Sequence, residues 1–238
     1  SDFSSPLVFS FDGSYSLTDN YQVKINASKN FRTPTFNDLY WQPGGNLELI
    51  PEKSYQLDFG NVLNIGAVSM QYNGYYISTK DMIKWLPNNE GVWSPINIDD
   101  VEIYGAEAKI EANYSLGKNQ ELGIKTNYAY TVSEDKSTNE QLIYVPFHTA
   151  NGSLEYRIAD LNLFYQHLYN GSVSIVGGEL KEYQVANLGA TYTADILKKD
   201  LKYTIGVTVN NVFNTYYENV ALRPMPNRNI QTQLILNF

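Results

Sequence analysis

From Tyr104 to Leu116 the chain alternates without a break. Tyr104, Ala106, Ala108, Ile110, Ala112, Tyr114 and Leu116 fall on one face of an extended segment. Gly105, Glu107, Lys109, Glu111, Asn113 and Ser115 fall on the other. Successive side chains of a strand point to opposite faces, so this is a strand with one apolar and one polar side. A strand of a globular sheet runs about five or six residues, whereas a tilted strand needs about 9–11 to cross a bilayer. This segment is long enough to cross. The end of the chain repeats the pattern, with Ile230, Thr232, Leu234, Leu236 and Phe238 opposed to Gln231, Gln233, Ile235 and Asn237.

The same two-faced pattern recurs along the whole sequence and predicts about eleven strands. Short connections are expected at 18–20, 63–66, 117–120, 159–160 and 195–200. Long ones are expected at 32–51, 85–97, 133–146, 171–181 and 214–228. Alternating short turns and long loops are the topology of an outer-membrane barrel. Alternation alone leaves open which face is outside. The interior of so wide a barrel cannot be filled by bulky apolar side chains, which favours a polar, wet lumen and an apolar outer face. The fold class is therefore all-β, an antiparallel transmembrane β-barrel fragment.

Composition agrees with this. There are 20 Tyr, 10 Phe and 3 Trp but no Cys, and aromatic residues suit strands and membrane-interface belts. Mean hydropathy is −0.35, with no apolar run near the ~18–20 residues of a spanning helix. That excludes a helical membrane protein but not a barrel, whose alternating strands average to a polar value. A net charge of −8 argues against nucleic acid as a partner. Without cysteine there are no disulfides, thiolate metal sites or Cys nucleophiles. The chain opens Ser1-Asp2-Phe3-Ser4-Ser5-Pro6 with no signal peptide in view, so the leader of an exported protein would lie outside this sequence.

Several motifs occur in a fixed order. Asn30-Phe31-Arg32-Thr33-Pro34 leads through Leu39-Tyr40 to Gly44-Gly45-Asn46-Leu47-Glu48-Leu49-Ile50-Pro51-Glu52-Lys53-Ser54. Trp93-Ser94-Pro95-Ile96-Asn97 leads to Val101 and Gly105-Ala106-Glu107. Asn210-Asn211-Val212-Phe213-Asn214-Thr215-Tyr216-Tyr217 precedes the last strand, which ends at Phe238. In this set and order the chain resembles the TonB-dependent outer-membrane receptors, with a small departure around Leu47 and Ile50. The Trp85 and Trp93 stretch is most similar to the cobalamin-receptor branch.

The resemblance implies that residues 1–238 are the C-terminal part of a receptor barrel, the second half of about 22 strands. The plug and the first half of the barrel are absent from it. It implies uptake of a large scarce nutrient, cobalamin or a siderophore. The partners it implies are outer-membrane lipid, a small-molecule nutrient, and the barrel-assembly machinery through the C-terminal strand with Phe238 as the signal. TonB would be met only through the missing N-terminal part. An isolated half barrel has two unpaired edges, so edge-to-edge self-association is expected. The alternative is a soluble or surface-exposed β-rich module that binds glycans or another ligand.

The candidate ligand residues are Arg32, Tyr40, Trp41, Trp85 and Trp93. Arg32 either contacts an anionic ligand or ties the loop to carbonyls and carboxylates of the wall. The four aromatics are expected in long loops, where they either hold a large flat ligand or anchor at the interface. Asp99, Asp100 and Glu102 lack the spacing of a calcium loop and read as a solvated acidic stretch. His148 and His167 fall at outward positions without carboxylates at metal-binding intervals, so no metal is expected there. Glu107, Lys109, Glu111, Glu155 and Arg157 are expected to form charge ladders or to line a substrate path. No catalytic fingerprint occurs. A barrel hydrolase would need His148 or His167 matched to a serine, and that context is lacking. No enzyme activity and no cofactor are expected.

Overall fold

A computed structural model describes residues 6–195 and 202–237, without the Asp99 side chain. The strands are β1 (Phe9–Thr18), β2 (Tyr21–Arg32), β3 (Glu52–Ile65), β4 (Val68–Pro87), β5 (Trp93–Gly117) and β6 (Gln120–Asp135). They continue with β7 (His148–Ile158), β8 (Leu161–Asn170), β9 (Tyr183–Asp195), β10 (Lys202–Asn210) and β11 (Asn229–Asn237). Each pairs with its neighbours in chain order in one antiparallel sheet, with Glu140–Gln141 added onto β6. The expected succession of strands is therefore present. The chain divides into two compact units, one comprising Ser1–Asn61, Asn73–Ala106 and Thr131–Val145, the other Val62–Tyr72, Glu107–Tyr130 and Pro146–Phe238.

In the second unit the register sorts side chains into rows. Ile124, Leu154, Tyr165, Leu188, Val209 and Ile230 stand side by side across β6 to β11. The neighbouring row, on the opposite face, is Gly123, Glu155, Phe164, Gly189, Thr208 and Gln231. Here the Phe164 ring lies so close over Gly189 that a Cβ would collide with it. The apolar face carries Tyr192 and Tyr203 toward the turn end and Tyr128 and Tyr169 toward the loop end. Tyr169 and Leu161, the partner of Tyr192, are separated along β8 by about 26 Å at about 3.3 Å per residue. That matches an apolar band about 25 Å tall between aromatic girdles.

Leu154, Leu188, Ile205 and Leu234 on this face are each more than two-fifths exposed. In water such a face is an aggregation surface; in hydrocarbon it is matched by its solvent. No helix among the described residues is long and apolar enough to cross a membrane. The uncovered apolar face answers the question that alternation left open, against the soluble module.

β4 and β5 are 20 and 25 residues long, well beyond the ~9–11 a crossing needs, and the part of them that belongs to the first unit is 73–106. Their joined ends form an extension. Ile98, Val101 and Leu142 make a small core there, flanked by Met82, Ile103 and Val145. Gln141 fixes the overlying segment: its Oε1 accepts the Ser133 N–H at 2.8 Å and its Nε2 donates to the Val145 carbonyl at 3.2 Å.

This extension corrects the loop expected at 85–97. Trp85 lies in β4, Trp93 opens β5, and only 88–92 connects them. Alternation fails there because the extension is covered on both sides and carries Pro95 fully buried inside a strand; an interior proline argues against a strand when read from sequence. The turn expected at 63–66 is the pair Gly66-Ala67, with Gly66 at φ +56°, the left-handed geometry that a two-residue hairpin turn requires. The turn at 18–20 is likewise reduced to Asp19-Asn20. Glu140–Gln141 in the 133–146 loop, Val173–Ile175 with Gly178–Leu180, and Glu218–Val220 with Arg223–Pro224 pair inside connections expected to be irregular. The turn expected at 195–200 falls almost wholly, and Phe238 entirely, outside the described residues.

Candidate functional site

The segment between β2 and β3 is not a free loop. Thr35 caps a short helix, α1 (Phe36–Tyr40), through a reciprocal capping box with Asp38. The Asp38 carboxylate accepts from the Thr35 N–H and hydroxyl at 2.8 Å each. The Asp38 N–H donates back to Thr35 Oγ1 at 3.2 Å. Such a box satisfies two helix-end donors at once. Asp38 is buried, and it also accepts the Trp85 indole N–H at 2.9 Å.

Arg32 joins this carboxylate to a second one. Its Nε and Nη2 donate to Glu52 at 2.8 and 3.0 Å, and its Nη1 is 3.5 Å from Asp38. Glu52 also accepts the Ile83 N–H at 2.9 Å. The two-point fork is the geometry a guanidinium offers a carboxylate. Burial pushes the Asp38 carboxyl up, but the Thr35 hydrogen bonds, the Trp85 indole and the Arg32 charge outweigh it and hold it below its ordinary value.

The far end of the segment is fastened by asparagines. Asn46 Nδ2 donates to the Pro95 carbonyl at 3.0 Å. Asn97 accepts the Ile50 N–H at 3.0 Å and donates to the carbonyls of Ile50 and Asp81 at 3.0 and 2.6 Å. A Cβ on Gly44 would run into the Trp93 carbonyl, and one on Gly45 into that of Leu39. Gly44 lets the backbone lie against the start of β5, and Gly45 lets it lie against the end of α1.

The structure thus separates the five candidate residues. Arg32 and Trp85 have their polar atoms committed to Glu52 and Asp38. Tyr40 and Trp41 are 51% and 55% exposed at the end of α1, and Trp93 is 44% exposed at the start of β5. Sequence reasoning overlooks Phe36 and Leu47, which stand exposed on the same segment; the Phe36 and Tyr40 rings are 4.8 Å apart. It also overlooks Asp38 and Glu52. The Thr35-x-x-Asp38 spacing is a capping signature legible in the sequence.

The other candidates resolve simply. Asp100 and Glu102 lie in β5, not in a loop, and meet Lys80 and Lys136 at 3.7 and 3.5 Å. Among the described residues no cluster of metal-ligating side chains occurs. His148 shares a hydrogen bond with the Tyr128 hydroxyl, and His167 with the Tyr165 hydroxyl and with Gln184. Lys125 is 4.0 Å from Glu111 across β5 and β6, and Arg157 bonds Glu121 at 2.7 Å across β6 and β7. Glu111 and Arg157 thus take part in the expected ladders.

Strands with a lipid-matched face and a side-chain-locked segment bearing exposed aromatics define an outer-membrane barrel of the receptor type. The family described as TonB dependent receptor-like, beta-barrel matches residues 2–212. The chain belongs to that family, and with it to the bacterial outer membrane. It is 29% identical over 187 residues to the Vitamin B12 transporter BtuB of Photobacterium profundum, covering 75% of this chain and 30% of the relative. It is 28% identical over 193 residues to the iron-regulated outer membrane virulence protein of Vibrio cholerae serotype O1, covering 70% and 28%. A solved ferric enterobactin receptor of Pseudomonas aeruginosa shares the fold, with a TM-score of 0.73 at 19% identity over 97% of this chain and 40% of that one. The chain spans about a third of the length of these relatives.

Proposed function

We propose that this chain is the C-terminal half of the barrel of a receptor that takes up a large scarce nutrient, cobalamin or a siderophore, across the outer membrane. The observation that carries the reading is a set of exposed aromatics, the aromatic shelf: Phe36, Tyr40 and Trp41 on a segment locked by Arg32, Asp38, Asn46 and Asn97, and Trp93 at the start of the strand against which Gly44 of that segment lies. Rigid aromatics bury large flat area at little entropic cost. In this reading the shelf captures the nutrient from outside and polar groups of the wall pass it inward. A plug elsewhere in the receptor gates the path, and TonB acts through that plug. The relatives named for vitamin B12 and the locked Trp85 and Trp93 stretch favour a corrinoid over an iron complex.

The test uses the intact receptor that carries this chain, purified in detergent. Binding of cyanocobalamin and of ferric enterobactin is measured for wild type and for Trp41→Ala combined with Trp93→Ala. One of the two ligands should bind and lose about tenfold or more in affinity, as two stacked rings at about 0.5–1.5 kcal/mol each require. Unchanged affinity for the ligand that binds would remove the shelf from the site.

A further inference from the structure

The apolar face of β1 to β3 carries two charges, and both are positive. The register sets Phe9 opposite Lys29, Phe11 opposite Ala27 and Tyr15 opposite Val23. Phe9, Phe11 and Tyr15 are each more than half exposed, so Lys29 stands on the uncovered apolar face. On β3 exposure alternates, and Lys53 falls in the exposed set with Tyr55, Leu57 and Phe59. The Lys29 ammonium lies 5.4 Å from the centre of the Tyr55 ring. β2 and β3 are hydrogen-bonded neighbours, so the two lysines share one face of adjacent strands. The other charged residues of these strands, Asp12, Lys24, Arg32, Glu52 and Asp58, fall at the alternate positions, on the polar face.

The height of the two lysines on the face is also defined. Lys29 is near the end of β2 that enters the 33–51 segment, and Lys53 is near the start of β3 that leaves it. In an outer-membrane barrel the long connections lie on the outer side of the bilayer. Tyr55 is the next position on that face below Lys53, about 6.6 Å along the strand. A lysine at the edge of an apolar band lays its methylenes on the band and holds its ammonium at the level of the headgroups.

On β4 to β6 the cations of this rim are matched within the chain. Lys80 is 3.7 Å from Asp100, and Lys136 is 3.5 Å from Glu102 and 3.2 Å from Glu134. Tyr76, exposed on the apolar face of β4, donates its hydroxyl to Glu102 at 3.0 Å and so places that cluster on the same face. Among the described residues neither Lys29 nor Lys53 has a carboxylate within 4.0 Å. Two unmatched ammonium groups on a lipid-facing surface call for an anion from the bilayer, and lysine meets phosphate as a point charge.

We propose that Lys29 and Lys53 form a docking site for the phosphate of an anionic lipid headgroup in the outer leaflet. The two ammonium groups hold the phosphate, and the acyl chains run down the apolar rows of β1 to β3. The proposal needs only the barrel and its lipid face, so it stands or falls apart from the nutrient reading.

The experiment uses the intact receptor in detergent micelles and follows the first lipid adduct by native mass spectrometry. The probes are dioctanoyl phosphatidic acid, dioctanoyl phosphatidylcholine and inorganic phosphate. Lys29→Gln, Lys53→Gln and the double variant are compared with Lys29→Arg, Lys53→Arg and the control Lys80→Gln, whose ammonium is already paired with Asp100. The first phosphatidic acid adduct should weaken about fivefold for each lysine lost and about 25-fold in the double variant. The arginine variants should stay within about twofold of wild type, as should Lys80→Gln, because charge is kept in the first case and was matched internally in the second. Phosphatidylcholine should bind all variants alike. Phosphatidic acid affinity that is the same in every variant, or no phosphatidic acid adduct at all, overturns the site. An equal loss in Lys80→Gln overturns it too, since net charge alone would then account for the effect. Displacement of phosphatidic acid by equimolar inorganic phosphate overturns the lipid as its occupant.

Discussion

The wall of β6 to β11 and the locked segment between β2 and β3 are built from the same residue types by different rules. In the wall, Asn127 and Asn151 pair with each other because both point to the wet face of adjacent strands. At the segment, Asn46 bonds the backbone carbonyl of Pro95, and Asn97 of β5 bonds those of Ile50 and Asp81. A wall side chain is selected by the medium it faces. A segment side chain is selected by one specific partner. Changes in the wall should therefore be graded by face and depth, and changes in the segment by whether the partner is left unpaired.

A charge on the apolar face tests this contrast most severely. Leu188 sits in the middle of the apolar row between Tyr165 and Val209. Leu188→Arg should cost about 2–4 kcal/mol, the depth-dependent penalty of a cation at mid-bilayer. Gln231→Arg on the polar face of the same sheet should cost well under about 1 kcal/mol, as ordinary surface changes do. Denaturant titration of the receptor refolded into lipid vesicles reads both. Equal penalties would mean that the face assignment is wrong.

A smaller effect is expected in the locked segment, and it should depend on geometry rather than on charge alone. Removing one partner of a fully buried ion pair costs about 3–5 kcal/mol. The Arg32 side chain is 44% exposed, so Arg32→Ala should cost about 2 kcal/mol, left by Asp38 and Glu52 without their counter-charge. Arg32→Lys keeps the charge but cannot fork onto Glu52, and should fall between wild type and alanine. Protease protection of 33–51 in the detergent-purified receptor measures this locally. Lysine matching arginine would show that the two-point contact with Glu52 contributes nothing.

The contrast also explains what could be read from the sequence. The faces of β5 and β11 follow from alternation, because lipid and water sort every residue of a crossing strand at period two. The reading fails where that sorting stops. Ile83 and Ile98 are buried in the extension of β4 and β5, where both faces are covered and Pro95 interrupts the pattern. Pattern alone consequently puts Trp85 in a loop, although it stands in β4 against Asp38. The Arg32 motif is legible as a motif, but its job is not. Glu52 is 20 residues away and Ile83 is 51 residues away, and nothing local links them.

The gentlest probe of the segment is pH. Asp38 is held below its ordinary value by Thr35, Trp85 and Arg32 against the opposing effect of burial. A carboxyl with a depressed folded pKa lends stability that is complete above its unfolded pKa of about 3.9 and is lost as pH falls through the folded value. The locked segment should therefore be indifferent to pH near neutrality and loosen only below about pH 4. Trp85 reports the event directly, since its indole N–H donates to that carboxylate. Taken as the difference between the intact receptor and its Trp85→Phe variant, its fluorescence should shift as Asp38 protonates and the indole loses a charged acceptor. Asp38→Asn keeps the size but cannot ionise, and should abolish the acid transition while weakening the segment at neutral pH. A transition that survives Asp38→Asn would show that the capping-box carboxylate is not the group whose protonation loosens the segment.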